Sequence, residues 1–288
     1  MKRVALQWLV RLLARLPARA VDWSGALIGR ALWRFDSRMA RTTRTNLRLA
    51  FPELCNDERQ RLGRRSLEQT CALALEAAAM WGSNVEHVLK RVVSVEGRGL
   101  IGAAIARGRG VILLAPHLGN WEIANLYVAR HCGVTALYQP SGDGPLDDLV
   151  RRFRERGGSR MKVAHTGGIR AVLKALKGGQ CVGVLPDQVP VPKQGVVVDF
   201  FGHPALTMTL VHRLAVRTGA RVLCVYAQRI DNGAFYIRFR GVADELYDGD
   251  PLVSAQAMND AVERCVREAP EQYQWEYKRF RRLPQRIY

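Results

Sequence analysis

Apolar residues fall into two alternating spacings from about residue 110 onward. Short apolar runs at 111–115 and 181–185 read as buried strands, and 134–138, 160–164 and 196–201 read as strands. Between them, apolar positions recur with helical spacing at 121–131, 146–156, 169–177 and 205–217, and Gly178-Gly179 and Gly219 close the last two. The runs at 221–229 and 235–240 flank Asp231-Asn232-Gly233 and predict a hairpin, and 254–267 and 271–280 predict the final helices. Upstream, 54–81 predicts a long helix with Asn56 or Asp57 as its cap, nearly free of polar groups over 72–80 apart from Glu76. A short strand at 92–95 and a short helix at 100–107, ended by Gly108, lead into the alternation. Strand and helix in turn predict an α/β fold with a mixed, largely parallel central sheet flanked by helices.

The first 50 residues break this pattern. They hold eleven Lys and Arg against Asp22 and Asp36, which is half of the chain's net charge of +18. Arg11, Arg15 and Arg19 recur every four residues beside Trp8, Leu9, Leu12, Leu13 and Leu16, with Trp23 and Trp33 further on. A basic, Trp-bearing amphipathic helix suits a membrane interface, its apolar face in the acyl boundary and its Arg at anionic head groups. An ordinary amphipathic helix packed on the domain is the plainer alternative. The chain therefore divides into a basic, membrane-associating helical appendage, 1–50, and an α/β domain, 51–288. No cleavable signal sequence is expected, nor a run of the roughly 18 apolar residues that a spanning helix needs.

The excess of 44 Lys and Arg over 26 Asp and Glu favours an anionic partner, whether membrane, ligand or nucleic acid. Nucleic acid is the weakest of these, because no groove-reading or base-stacking motif accompanies the charge. Six scattered cysteines without a C-x-x-C pair read as buried thiols in a reducing compartment. His87, His131, His165, His203 and His212 lack metal-ligand spacing, and Gly108-Arg109-Gly110 is too short for a dinucleotide loop. Neither metal nor cofactor is expected.

Candidate chemistry concentrates in VILLAPHLGNWEIAN, residues 111–125. Pro116 stops the strand, Gly119 turns the chain, and Asn120 is placed to cap a helix starting near Trp121. His117 then stands at the carboxyl end of a strand, where open α/β sheets place their sites, with Glu122 five residues on. Such a pair suits general-base catalysis: a neutral imidazole takes a proton from a hydroxyl while a carboxylate fixes its tautomer. A surface His beside an acid that complements a helix dipole is the competing reading.

With APHLGNWE, LPDQVPVPKQGVVVDFFGHPALTMT and PEQYQWEYKRF in hand, the chain resembles the lipid A late acyltransferases, the lauroyl/myristoyl transferase family of the wider glycerolipid acyltransferase group. The likeness is firmest from 110 to 282. It implies transfer of an acyl chain from acyl-carrier protein to a hydroxyl of a lipid A precursor, on the cytoplasmic face of an inner membrane. His117 would deprotonate that hydroxyl, and Glu122 would orient and charge-balance His117. Arg154, with Arg156 second, would serve near the oxyanion, and a solvated helix-face Arg is the alternative for each. Asn120, Asp187 and Gln188 would contact substrate, the last two from the exit of the 181–185 strand, where they could also position His117. Lys278, Arg279, Arg281, Arg282 and Arg286 would rim a cleft mouth for phosphates or the acidic carrier. One departure stands out: Tyr138-Gln139-Pro140 replaces the family's frequent Tyr-Arg-Pro. Another lipid O-acyltransferase with a different acceptor, such as a lysophospholipid, is the nearest rival, and a basic nucleic-acid-binding protein is the rival from another class.

Overall fold

A computed structural model describes residue 10, residues 12–140 and 142–282, and residues 287–288. The expectations for Trp8, Leu9, Arg11 and Arg286 lie outside these. Helices α1 (Ala18–Arg34) and α2 (Arg38–Ala50) precede the long α3 (Asn56–Trp81) and the short α4 (Val85–Leu89). Then come β1 (Val92–Glu96), α5 (Arg98–Ala106), β2 (Val111–Leu114), α6 (Trp121–Cys132), β3 (Val134–Tyr138), α7 (Gly144–Arg156), β4 (Ser159–Val163), α8 (Thr166–Lys177) and β5 (Cys181–Val184). A hairpin of β6 (Gly195–Phe200) and β7 (His203–Met208) leads to α9 (Leu210–Thr218), β8 (Arg221–Arg229), β9 (Phe235–Gly241) and α10 (Pro251–Glu268).

Seven strands form one sheet in the order β1-β9-β8-β2-β5-β3-β4. The run β8-β2-β5-β3-β4 is parallel, and β9 turns back antiparallel on β8. The mixed, largely parallel sheet flanked by helices is the one the alternation predicts. Successive residues of a strand face opposite sides, so the central strands feed two cores. Ile112, Leu114, Val182, Val184, Val222 and Cys224 meet α8, α9 and α10 on one side. Val111, Leu113, Cys181, Leu223 and Val225 meet α5 and α6 on the other. All four residues of β2 are buried, which explains a run with no polar alternation.

The helices of the basic segment pack on the rest of the chain. Gly25 and Gly29 of α1 lie against the α3 backbone at Ala72 and Glu68, closer than a Cβ would permit. Leu47 and Ala50 of α2 enter the α8–α10 core. The opposite side of α1 leaves Trp23, Leu27 and Ile28 exposed, with Leu12 and Leu16 before it. Among the described residues, no helix is long and apolar enough to cross a membrane.

Two expected helices take other forms. The 205–217 stretch opens as β7, because Phe201-Gly202 makes a two-residue hairpin turn with φ of 51° and 70°, and His203–Met208 pairs back on β6. Helix begins only at Leu210. The 271–280 stretch is not an α-helix: after a 3-10 turn at Pro270–Gln272, Tyr273 and Trp275 are buried at alternate positions. The Gln274 N–H donates to the His117 carbonyl (3.1 Å), and Trp275 Nε1 donates to the Pro270 carbonyl (2.7 Å). Backbone partners in another loop thus replace the helix's own.

Candidate active site

Register brings the site together. Leu114 of β2 pairs with Val184 of β5, and each strand ends in an apolar residue, a proline and then a titratable side chain. Three residues past the paired positions stand His117 and Asp187, level with each other at adjacent carboxyl ends. Asp187 Oδ1 lies 2.8 Å from His117 Nδ1, and Asp187 Oδ2 accepts the His117 N–H at 2.8 Å. The carboxylate is 3% exposed and the imidazole 8%. Burial alone would push Asp187 up, but the His117 ring and the N–H groups donated to it outweigh this and hold it below the ordinary range. An ionised Asp187 requires His117 to carry its proton on Nδ1, which leaves the Nε2 lone pair as the base. Gln188 Nε2 sits 3.1 Å from that atom. The ring edge of Trp121 packs on the imidazole, centroids 5.1 Å apart.

The loop that carries His117 is clamped on both flanks. Asn120 N donates to the Ala227 carbonyl at the end of β8 (2.8 Å), and Gly119 N donates to the Gln272 carbonyl (3.0 Å). Gly119 has φ of 60°, and a Cβ there would stand 2.0 Å from the Ala227 oxygen, so no other residue fits. Asn120 Oδ1 accepts from Ile123 N (3.1 Å) and caps α6. Its Nδ2 donates to Glu76 Oε2 at 2.6 Å. Glu76 also accepts from Arg229 Nη2 (2.6 Å) and from Arg91, and these cations hold its carboxyl low despite burial. The single charge in the apolar 72–80 stretch is therefore the floor beneath the loop, and its isolation among apolar neighbours was the signal for it.

Several expected roles change. Glu122 does not touch His117: its oxygens accept a two-pronged pair from Arg154, with Nε to Oε2 at 2.9 Å. The carboxylate is 2% exposed and turned toward α7, and a buried acid needs a cation there. Asp187 takes the orienting position expected for Glu122, because strand register delivers it to Nδ1. Arg154, expected at an oxyanion, is committed to Glu122. Burial lowers its affinity for the proton, but Glu122 outweighs this and the guanidinium stays charged. Asn120, expected at substrate, is fully buried as a cap. Arg156 lies away from His117, donating to the Trp81 carbonyl at 2.9 Å. Gln188 meets the His117 ring as the strand-exit position suggested. Arg279, expected at the rim, is 3% exposed and donates to the Leu206 carbonyl and Thr207 Oγ1.

A small cleft opens beside His117. Its walls come from Gln69, Thr70 and Leu73 of α3, Gly119 and Trp121, Arg229, and Gln272, Gln274 and Glu276 of the C-terminal segment. Gly119, Trp121 and the PEQYQWE motif were singled out in the sequence, whereas Gln69, Thr70, Leu73 and Arg229 carried no signal there. Among the described residues, no group of three or more His, Cys, Asp or Glu could hold a metal ion. What the site can do is accept a proton at Nε2 from a hydroxyl brought to the ring, with Asp187 balancing the charge that forms on it.

Comparison with known proteins bears on which hydroxyl chemistry this is. A family model described as bacterial lipid A biosynthesis acyltransferase matches residues 2–282. The lipid A biosynthesis lauroyltransferase of Escherichia coli strain K12 is 28% identical over 288 residues, covering 99% of this chain and 92% of that protein. The myristoyltransferase of the same strain is 29% identical over 273 residues (91% and 81%), and its palmitoleoyltransferase 27% over 271 residues (94% and 88%). The family match spans every strand of the sheet and both loops that meet at the imidazole, and so this chain belongs to the bacterial lipid A biosynthesis acyltransferases.

Proposed function

We propose that the protein moves a fatty acyl chain from acyl-carrier protein to a hydroxyl of a lipid A precursor on the cytoplasmic face of the inner membrane. The observation that carries this reading is the buried Asp187–His117 pair, which leaves Nε2, met by Gln188, as the basic nitrogen at the end of the central strand. His117 takes the hydroxyl proton as the oxygen attacks the thioester carbonyl. The tetrahedral intermediate collapses, the C–S bond breaks, and the imidazolium returns its proton to the departing thiolate. Asp187 keeps the ring in the Nδ1–H tautomer throughout. The Glu122–Arg154 pair stands on the neighbouring helices α6 and α7 and holds the first turn behind the base.

The membrane setting draws support from α1. Trp23 and Leu27 stand exposed on the side of α1 away from α3, with Leu16 exposed just before the helix and Arg34 in its last turn. The net charge of +18 suits both an anionic bilayer and an acidic carrier. The test incubates purified protein with acyl-carrier protein thioesters and a lipid A precursor and reads the product by mass. One acyl chain should be added, and His117→Ala should reduce turnover to background while circular dichroism stays native. Product formed only on a lysophospholipid would replace the acceptor, and near-native turnover in the His117 variant would remove the mechanism.

A further inference from the structure

The cleft beside His117 has a chemical character of its own. Three of its lining side chains are carboxamides, Gln69, Gln272 and Gln274, joined by a hydroxyl, Thr70, and a carboxyl, Glu276. The guanidinium of Arg229 is spent, Nη2 on Glu76 and Nη1 on Gln69 (2.5 Å), so the cleft offers no free cation to a phosphate. Thr70 Oγ1 donates to Glu276 Oε2 at 3.2 Å, and among the described residues Glu276 makes no ion pair. Two polar atoms of the wall are buried without a partner: Gln274 Oε1, an acceptor, and Arg229 Nε, a donor. Unmet groups of that kind cost stability unless a ligand meets them. One acceptor and one donor are the complement of a secondary amide, which has one N–H and one C=O.

Charge is waiting further out on the same helix. Arg65 precedes Gln69 by four residues and Arg61 precedes Arg65 by four, so they continue the cleft-facing stripe of α3. Both are exposed, and neither has an ion-pair partner among the described residues. From Leu73 to Arg61 the helix runs about 18 Å. A slim chain of two amide units with flanking methylenes, drawn out at peptide dimensions, reaches on the order of 15 Å.

We propose that this cleft is the subsite for the phosphopantetheine arm that presents the acyl thioester: Gln274 Oε1 and Arg229 Nε hold an amide of the arm, and Arg65 with Arg61 meets the phosphate at its outer end. The assignment rests on the reading of the protein as a thioester-dependent acyltransferase. It divides the substrates between two places: the donor arm lies along α3, and the acceptor reaches Nε2 from the other side of the imidazole.

The probe is free 4′-phosphopantetheine, titrated calorimetrically into the full-length protein, alongside donor and acceptor KM. Gln274→Leu changes only a side chain, since the segment's contacts to the His117 loop are made by its backbone. It should weaken 4′-phosphopantetheine and raise donor KM about five- to tenfold, with acceptor KM unchanged. Arg61→Glu with Arg65→Glu, both on the surface, should weaken 4′-phosphopantetheine at least tenfold at low salt. The same double variant should leave KM unchanged for an acyl-N-acetylcysteamine thioester, which has no phosphate. Unaltered 4′-phosphopantetheine binding in both variants, or a rise in acceptor KM alone, overturns the subsite. If the wild type makes no product from any thioester, the functional reading fails separately, and the binding titration still decides what the cleft holds.

Discussion

His117 and Asp187 show how much of a site two residues in register can settle. The sequence pointed to His117 through its place after a strand and a proline, and that reasoning needed no partner. It assigned the carboxylate to the nearest acid along the chain, Glu122, because a helical first turn five residues on looked close. Strand pairing, invisible to local spacing, brought Asp187 nearer from seventy residues away. A trace was there: both strands end apolar-Pro-titratable, in LAPH and VLPD. Glu276 makes a second point at this scale. Burial pushes its carboxyl above the ordinary 4.5, against hydrogen bonds from Thr70 and Gln274 and the nearby His117. A raised acid binds its proton more tightly in the folded state, so its contribution is full below 4.5 and is lost as pH climbs through the raised value. Glu276→Gln removes that loss. The variant's Tm should gain on the wild type between pH 4.5 and pH 8, whereas a constant Tm difference across that range would place the proton elsewhere.

Elements were legible wherever a single period governed them. Every strand of the central sheet and most helices stand where the sequence pattern put them, because β2 and β5, buried at the centre, are apolar runs and the covering helices are amphipathic. The two failures share a cause: tertiary partners replaced local ones. β7 formed because Phe201 accepts the left-handed region, held by its N–H on Glu263 Oε1 (2.6 Å) and by the rings of Phe51 and Trp275. The 270–280 segment is a 3-10 turn followed by irregular turns because its backbone braces the His117 loop, through Gln272 and Gln274, on the flank opposite β8. That loop has no slack, and Gly119→Ala tests it. A Cβ at φ of 60° facing the Ala227 oxygen should destabilise the fold by about 2 kcal/mol or more and lower kcat at least tenfold, read by thermal melts and initial rates. A variant with native Tm and native kcat would show that the loop can relax.

For the whole molecule, the helices of the basic segment pack on the α/β part of the chain. α1 lies on α3, and α3 in turn supplies the cleft wall and the Glu76 floor, so the exposed apolar face of α1 is tied to the site by a single helix. Binding to vesicles containing anionic lipid should therefore be salt-sensitive. It should also fall at least tenfold on replacing Trp23 and Leu27 with Ser, each a large apolar side chain exposed on α1. Equal sedimentation of variant and wild type would move the membrane contact elsewhere. The account as a whole turns on one arrangement, an imidazole held by Asp187 and free to take a proton. Its most direct test is the single-turnover acyl-transfer rate of Asp187→Asn, which keeps the shape and reverses the tautomer. The rate should drop about 10³- to 10⁴-fold with acceptor binding unchanged. A rate within a few fold of the wild type would contradict the assignment of His117 and Asp187 as the catalytic pair.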